Sequence, residues 1–182
     1  HQMPAGPIKS HVFDVIFNAS GGEISPAKKA SEYHNYYLGK DQKYWKSNVP
    51  LYEEVTYKSL YPGIDLVLKG GTENLKYDVI VAAGANPEVI KWNYVGADAL
   101  QLVNGELIIK TSVGDLLEEA PIAWQIINGQ TISIEVSFLL NENSISFKLG
   151  EYNKNYALII DPNYVFSTYT GSTADNFGYT AT

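Results

Sequence analysis

Two Asn-Gly pairs, at residues 104–105 and 128–129, each lie between two runs rich in β-branched, aromatic and other apolar residues. Asn and Gly tolerate positive φ angles, and two such angles in succession form the type I′ turn that joins antiparallel strands in a tight hairpin. A third pair, Pro62-Gly63 in LYPGIDLVL, suits the centre of a type II turn, in which Gly takes the positive φ. These turns favour a fold built from β-hairpins.

The runs between the turns alternate apolar and polar residues, as strands with one buried face do. Four segments show the pattern and are each predicted to be one strand: ENLKYDVIV, QTISIEVSFLL, SISFKLG and IKWNYV. The 14 Tyr and 6 Phe agree with this, because aromatic side chains pack well on a pleated surface. We predict an all-β fold of roughly ten strands, an antiparallel β-sandwich of two sheets. NENS, at 141–144, is predicted to be a longer polar connection.

The stretch ISPAKKASEYHNYY, residues 24–37, has no clear alternation. Ser25 followed by Pro26 could cap and begin a short helix, because Ser is a favoured N-cap and Pro fits the first helical position. No helical stripe of convincing length follows, so the stretch is predicted to be a loop.

A domain boundary is predicted at Asp161-Pro162-Asn163, between YALII and YVFSTY. Pro cannot donate to a strand ladder and restricts the residue before it to extended geometry. We therefore predict a β-sandwich domain over residues 8–161 and the start of a following module over 162–182. The end of the chain, VFSTYTGSTADNFGYTAT, reads as a strand, a turn at 171–176 and a second strand without its partner. Residues beyond about 170 are expected to be poorly packed.

Composition disfavours several classes of function. The net charge of -7 is unsuited to nucleic acid, and no run approaches the roughly 18 to 20 apolar residues of a membrane span. There is no Cys, and the three His lack the spacing of a zinc site. No G-x-S-x-G motif is present. We predict no catalytic residue, no metal ligand and no cofactor.

The acidic residues were considered as catalytic pairs. Neighbouring residues on a strand point to opposite faces, so Glu53-Glu54 and Glu118-Glu119 cannot converge on one bond and are expected to be solvated. Asp65, in PGIDL, is expected to have a structural role. Calcium remains an alternative at the oxygen-bearing side chains of the last turn, which turn formation also explains. These are Ser172, Thr173, Asp175 and Asn176.

Aromatic residues provide the main binding hypothesis. Seven Tyr and one Trp crowd into residues 33–61, and an exposed ring on a β-surface can stack on a sugar while its hydroxyl bonds at the rim. The glycan platform predicted from them consists of Tyr36, Tyr37, Trp45 and Tyr52. The alternative, which we favour, is that most of these rings pack inside the sandwich.

Several motifs resemble one known family. NYYLGKDQKYWKSNVPLYEEVTYKSLYPGIDLVL (35–68), LKYDVIVAAGANPEVIKWNYVGAD (75–98), GELIIKTSVGDLLEEAPIAWQIING and YALIIDPNYVFSTYTGSTADNFGYTAT occur in this order. They resemble the β-rich region upstream of the repeats in bacterial and archaeal SBBP (seven-bladed β-propeller) repeat proteins. The agreement covers nearly all of residues 35–182.

The resemblance implies a domain of a large exported or cell-surface protein, followed by propeller-like repeats. It carries no catalytic residue over to this chain. We therefore expect a non-catalytic structural or interaction domain that presents or caps these repeats, in adhesion, outside the cell. Its expected partners are the downstream repeats and a surface glycan or protein. A carbohydrate-binding module is the alternative, and a hydrolase is a third hypothesis that needs a pocket holding two carboxylates.

Overall fold

A computed structural model describes residues 9–19, 21–70, 75–162 and 164–165. This part of the chain contains fifteen strands and two short 3₁₀ helices, Gln42–Tyr44 and Pro87–Val89, and the predicted all-β class is confirmed. No helix within these ranges has the length and apolar character to cross a membrane. The strands are β1 Asp14–Phe17, β2 Glu23–Tyr36, β3 Lys46–Tyr61, β4 Ile64–Gly70, β5 Leu75–Val81, β6 Trp92–Val95, β7 Ala99–Val103, β8 Glu106–Lys110, β9 Leu116–Glu118, β10 Ile122–Ile127, β11 Gln130–Ile134, β12 Val136–Asn141, β13 Ser144–Leu149, β14 Leu158–Asp161 and β15 Tyr164–Val165.

The strands form three antiparallel sheets. The first sheet has four strands in the order β1-β6-β13-β12, and the second has seven in the order β11-β10-β14-β5-β4-β3-β2. The third has four, β15-β9-β8-β7. The arrangement fits the predicted β-sandwich. The third sheet was not predicted, because its strands have the same alternation and the same hairpin turn as those of a two-sheet sandwich.

The first and second sheets pack face to face. Trp92 of β6 lies against Tyr77 of β5, with 6.5 Å between their ring centroids, and β12 contacts β10 at the other side of the sandwich. The four strands of the first sheet cannot cover all seven strands of the second. Since β6 lies over β5 and β12 over β10, the uncovered part of the second sheet is the side formed by β3 and β2.

The core draws on all three sheets. Trp92 is 1% exposed and contacts the rings of Phe17, Phe138 and Phe147. The third sheet contributes Leu107 and other apolar side chains of β8. Full burial of a Leu, Ile or Phe side chain contributes about 1.5 to 3 kcal/mol to the free energy of folding, so the core dominates the stability of the fold.

The predicted turns are confirmed by their backbone angles. Asn104 and Gly105 have φ angles of 54° and 88°, and Asn128 and Gly129 have 51° and 79°, as a type I′ turn requires. Gly63 has φ 71°. A Cβ added there would lie 2.9 Å from the Cβ of Ala85, so space as well as backbone angle selects Gly.

The loop predicted for ISPAKKASEYHNYY, and its helical alternative, are wrong. All of these residues except Tyr37 lie in β2, which pairs with β3 from Glu23 to Tyr36. Most of β2 is exposed, and its apolar residues do not alternate because neither of its faces is fully buried. The pairing partner, and not a local hydrophobic pattern, makes this segment a strand.

Two further predictions need correction. QTISIEVSFLL is not one strand: it divides at Glu135 into β11, at the edge of the second sheet, and β12, at the edge of the first. Its alternation continues across the break without a Gly or Pro to signal it. NENS is shorter than predicted, because Asn141 pairs with Ser144 and only two residues connect β12 to β13.

The chain changes sheets at the predicted boundary. β14 ends at Asp161 in the second sheet, and β15 pairs with β9 in the third. The predicted module over 162–182 falls almost wholly outside the described residues. The same holds for the calcium alternative and for the expected poor packing beyond residue 170.

Candidate functional site

The predicted platform residues lie on a long two-stranded ribbon. β4 pairs with β3 only from Glu54 to Tyr61, whereas β2 and β3 continue their pairing through Lys29 with Tyr52 to Tyr36 with Lys46. We call residues 28–53 the arm. No other described strand pairs with it.

The arm contains two irregularities in its ladder. Extra residues lie in β2 between Lys29 and Tyr33, and an extra residue lies in β3 opposite the step from His34 to Tyr36. Asn48, on the bulged side of β3, has φ 56°, and its N–H donates to Asn35 Oδ1 at 2.9 Å. Bulges increase strand twist, so the arm is coiled more strongly than a regular hairpin.

A capped 3₁₀ helix, Gln42–Tyr44, forms the tip of the arm. Asp41 caps it, with Oδ1 accepting from the N–H of Lys43 at 3.1 Å. The Lys43 ammonium lies 2.8 Å from Asp41 Oδ2 and 4.7 Å from the Tyr44 ring centroid. Its hydrogen bond to Asp41 raises the pKa of Lys43. These contacts place the Lys43 ammonium over the exposed Tyr44 ring.

The arm exposes its aromatic residues, against our expectation that most of them pack inside the sandwich. Only Tyr61, beyond the arm, is buried among the eight, while Tyr57 and Trp45 are partly buried. A side chain of tyrosine that remains this exposed offers both ring face and hydroxyl to a partner. The exposed tyrosines are Tyr33 (55%), Tyr36 (41%), Tyr37 (58%), Tyr44 (64%) and Tyr52 (40%).

The four platform residues do not form one flat surface. Tyr37 and Trp45 meet at the tip, with ring centroids 5.3 Å apart and planes inclined at 73°, and Trp45 Nε1 donates to Gly39 O at 3.2 Å. Tyr36 ends β2 beside them. Tyr52 lies near the base of the arm, opposite Lys29. Tyr37 and Trp45 thus form one edge-to-face pair, and Tyr36 and Tyr52 are single rings along the arm.

An ion pair at the base of the arm connects it to the sandwich. Lys28 Nζ lies 2.9 Å from Glu54 Oε2, and this contact raises the pKa of Lys28. Pairs exposed to this extent contribute little stability. Of the two acids expected to be solvated, Glu53 is exposed, whereas Glu54 is half-buried and forms this ion pair.

Glu118 is a correction to the sequence interpretation. It was expected to be solvated, but it is 0% exposed at the end of β9, whereas Glu119 is exposed. The hydroxyl groups of Tyr77 and Tyr94 donate to its two carboxylate oxygens, the second at 2.9 Å. A buried carboxylate requires such donors. Glu118 and its two donors lie on three different strands, so no local sequence pattern marks this buried carboxylate.

Two other polar residues stabilise the backbone. Asp65 Oδ1 accepts from the N–H of Ser59 at 2.7 Å, where Ser59 has φ 52° in a bulge of β3. Gln125 is buried and binds the backbone of the loop before β14, accepting from Asn153 N–H and donating to Tyr156 O. The structural role expected for Asp65 agrees with this contact; the role of Gln125 was not predicted.

No group of three or more His, Asp or Glu side chains is placed to bind a metal within the ranges that the structure describes.

A family model described as a domain of unknown function (DUF7948) matches residues 1–163. The chain belongs to the DUF7948 family. The DUF7948 match ends at residue 163, close to the boundary predicted at 161, and includes the whole arm. No curated protein and no solved structure matches the chain.

Proposed function

We propose that this DUF7948 domain is a non-catalytic interaction domain of a secreted, cell-surface repeat protein, and that the arm is its contact surface. The observation that carries the proposal is the exposure of five tyrosines along the arm. Tyrosine is enriched at binding interfaces, where a large rigid ring gives contact area at low entropic cost.

The physical argument concerns what the arm does for the domain. An isolated two-stranded ribbon is marginally stable in water, and exposed aromatic surface gains nothing from the sandwich core. The arm therefore contributes little to the stability of the fold. Burial of its rings against a partner would recover the hydrophobic free energy that the free domain does not gain.

The resemblance to SBBP repeat proteins supports the rest of the proposal. In that arrangement the domain precedes propeller-like repeats, presents or caps them, and acts in adhesion. The change of sheet at Pro162 is compatible with it, because β14 ends in the second sheet at Asp161 and the next strand, β15, pairs in the third. A repeat array needs its first edge covered by a neighbouring element.

The test removes the arm and retains the sandwich. Because Lys29 and Tyr52 are paired, residues 30–51 can be replaced by an Asn-Gly turn. Beads coated with the intact domain are expected to adhere to cells of the source organism, and the shortened domain is expected to lose at least about tenfold in adhesion. The control variant is Leu139→Ser, which removes an exposed apolar side chain of β12. Equal adhesion by the shortened domain would contradict the proposal.

Binding of a carbohydrate is the second candidate, favoured by the exposed rings of Tyr36, Tyr37 and Tyr52 and by Trp45, which contacts Tyr37. On a glycan array, Tyr37→Ser should weaken binding by about tenfold, while Tyr37→Phe retains the ring and should change it less. If the domain binds no glycan on the array and its adhesion is lost when the cells are treated with protease, the partner is a protein and not a sugar.

A further inference from the structure

An apolar cavity of about 450 Å³ opens beside β1, where the first sheet stops short of covering the second. This volume is within the range of natural ligand pockets. None of the described residues that line it is charged. The lining residues are Phe13, Val15 and Phe17 around β1, Tyr57 and Leu60 of β3, Leu66 and Leu68 of β4, Tyr77 of β5, Trp92 of β6 and Leu116 of β9.

One edge of β1 borders this cavity and is unpaired in the described residues. β1 pairs with β6 alone. The ladder continues to Asn18, whose N–H donates to Lys91 O at 3.0 Å. Since successive backbone groups of a strand point to opposite edges, Ile16 also faces β6, and the N–H groups of Val15 and Phe17 face away from it.

We infer that this place accepts an added β-strand, supplied as an extended segment of a partner polypeptide. The segment would pair with the free edge of β1 and place alternate apolar side chains in the cavity. It would become the fifth strand of the first sheet and extend that layer over β3. Strand addition of this kind joins backbone hydrogen bonds with pockets for alternate side chains.

The free edge and the cavity together favour a β-strand as the occupant, because the edge can pair with its backbone and the cavity can hold its side chains. The outward N–H groups of β1 can donate hydrogen bonds to the backbone carbonyls of an added strand, which a hydrocarbon ligand lacks. The cavity is suited to apolar side chains. Val15 and Phe17 take part in both features, since their side chains line the cavity while their N–H groups face the free edge.

Charge restricts the segment further. Its inward residues must be uncharged, because an ammonium or carboxylate among these rings would be desolvated without a partner. Its outward residues lie beside Asp14, which is exposed and forms no ion pair with any described residue. A Lys or Arg there would form a favourable cross-strand pair. The predicted segment thus alternates Val, Ile or Phe with Thr and Lys.

Hydrogen exchange of the full 182-residue chain tests the free edge. The amides of Val15 and Phe17 are expected to exchange rapidly, and that of Ile16 slowly. A synthetic peptide of about nine residues with the alternating pattern should slow the first two amides saturably. A peptide of the same composition, with its apolar residues no longer alternating, should have no such effect.

Blocking the backbone should weaken binding. Proline is tolerated on an edge strand where the N–H faces away from the ladder, so Val15→Pro removes one outward donor. We expect it to weaken peptide binding about tenfold relative to Val15→Ala, which shortens the same side chain. If the proline variant does not fold, a peptide N-methylated at its central residue should lose binding to the unchanged chain by a similar factor.

Three outcomes would overturn the inference. Protection of the Val15 and Phe17 amides in the free monomer would mean that the chain covers its own edge. A dimer in light scattering, with the same protection, would mean a second copy. Peptide binding unaffected by both Val15→Pro and N-methylation would mean that the cavity recognises apolar groups alone. The site is separate from the arm, so these results do not depend on the proposed function.

Discussion

The tyrosines in the core of the sandwich are buried, whereas those of the arm are exposed. Tyr77 and Tyr94 are 4% and 0% exposed, and their hydroxyls donate to the buried Glu118. Tyr37 and Tyr44 on the arm are 58% and 64% exposed. The residue type is the same, and each group lies on or beside β-strands.

Coverage by a second layer makes the difference. β5 and β6 face each other across the sandwich, so a ring on either strand is enclosed by the opposite sheet. In the arm, β2 and β3 extend beyond the strands that pair with them in the rest of the second sheet, and its five tyrosines remain 40% to 64% exposed. Burial of a tyrosine is therefore a property of the layer above it, and the exposed aromatic surface of the arm is the surface that we propose binds a partner.

The largest expected effect compares two tryptophans. Trp92→Ala should lower the free energy of unfolding by about 3 to 5 kcal/mol, because it removes a fully enclosed indole and leaves a cavity among four aromatic rings. Trp45→Ala in the arm should cost less than about 1 kcal/mol. Urea denaturation of both variants measures this. Similar losses would show that the arm is part of the cooperative core.

An intermediate effect compares two tyrosine hydroxyls. Tyr94→Phe removes one of the donors to the buried Glu118 carboxylate and should cost about 1 to 3 kcal/mol. Tyr37→Phe removes an exposed hydroxyl that water replaces, so its unfolding midpoint should match that of the unchanged protein. A Tyr94→Phe variant of unchanged stability would mean that other groups satisfy Glu118 fully.

The smallest effect concerns a charge at the rim of the sandwich. Burial, and then the nearby Asp78, raise the pKa of Asp161 above its ordinary value of 3.8, against the opposing effect of Lys76 and Lys69. The folded state therefore holds this proton to higher pH than the unfolded state. Stability contributed by Asp161 is present below its ordinary pKa and declines as the pH rises through the raised one.

Asp161→Asn tests that sign. The variant should be more stable than the unchanged protein at neutral pH, and its advantage should shrink as the pH falls toward 3.8. Thermal unfolding at a series of pH values measures it. Asp41, exposed on the arm, is the matched position: Asp41→Asn should give no comparable gain at neutral pH. A constant difference across the pH series would contradict the assignment to Asp161.

Much of the fold could be predicted because its signals are local. The turn at Asn104-Gly105 needs only two neighbouring residues with positive φ, and IKWNYV reveals its buried face by alternation alone, with Ile90, Trp92 and Tyr94 all enclosed. β2 lacked such a signal, since a strand exposed on both faces has no alternation to detect. The four platform residues stay a prediction, and the favoured interpretation, which placed most of the aromatic rings of residues 33–61 inside the sandwich, was wrong.

The sequence by itself determined the strands with one buried face, the tight turns and the all-β class, because each depends on residues that are neighbours in the chain. The tertiary structure decided the rest. It enclosed Glu118 between Tyr77 and Tyr94, divided two strands at Glu135, exposed the tyrosines of the arm and left the edge of β1 open beside a cavity. Each depends on which distant strand lies opposite, and pairing across a sandwich has no local signature.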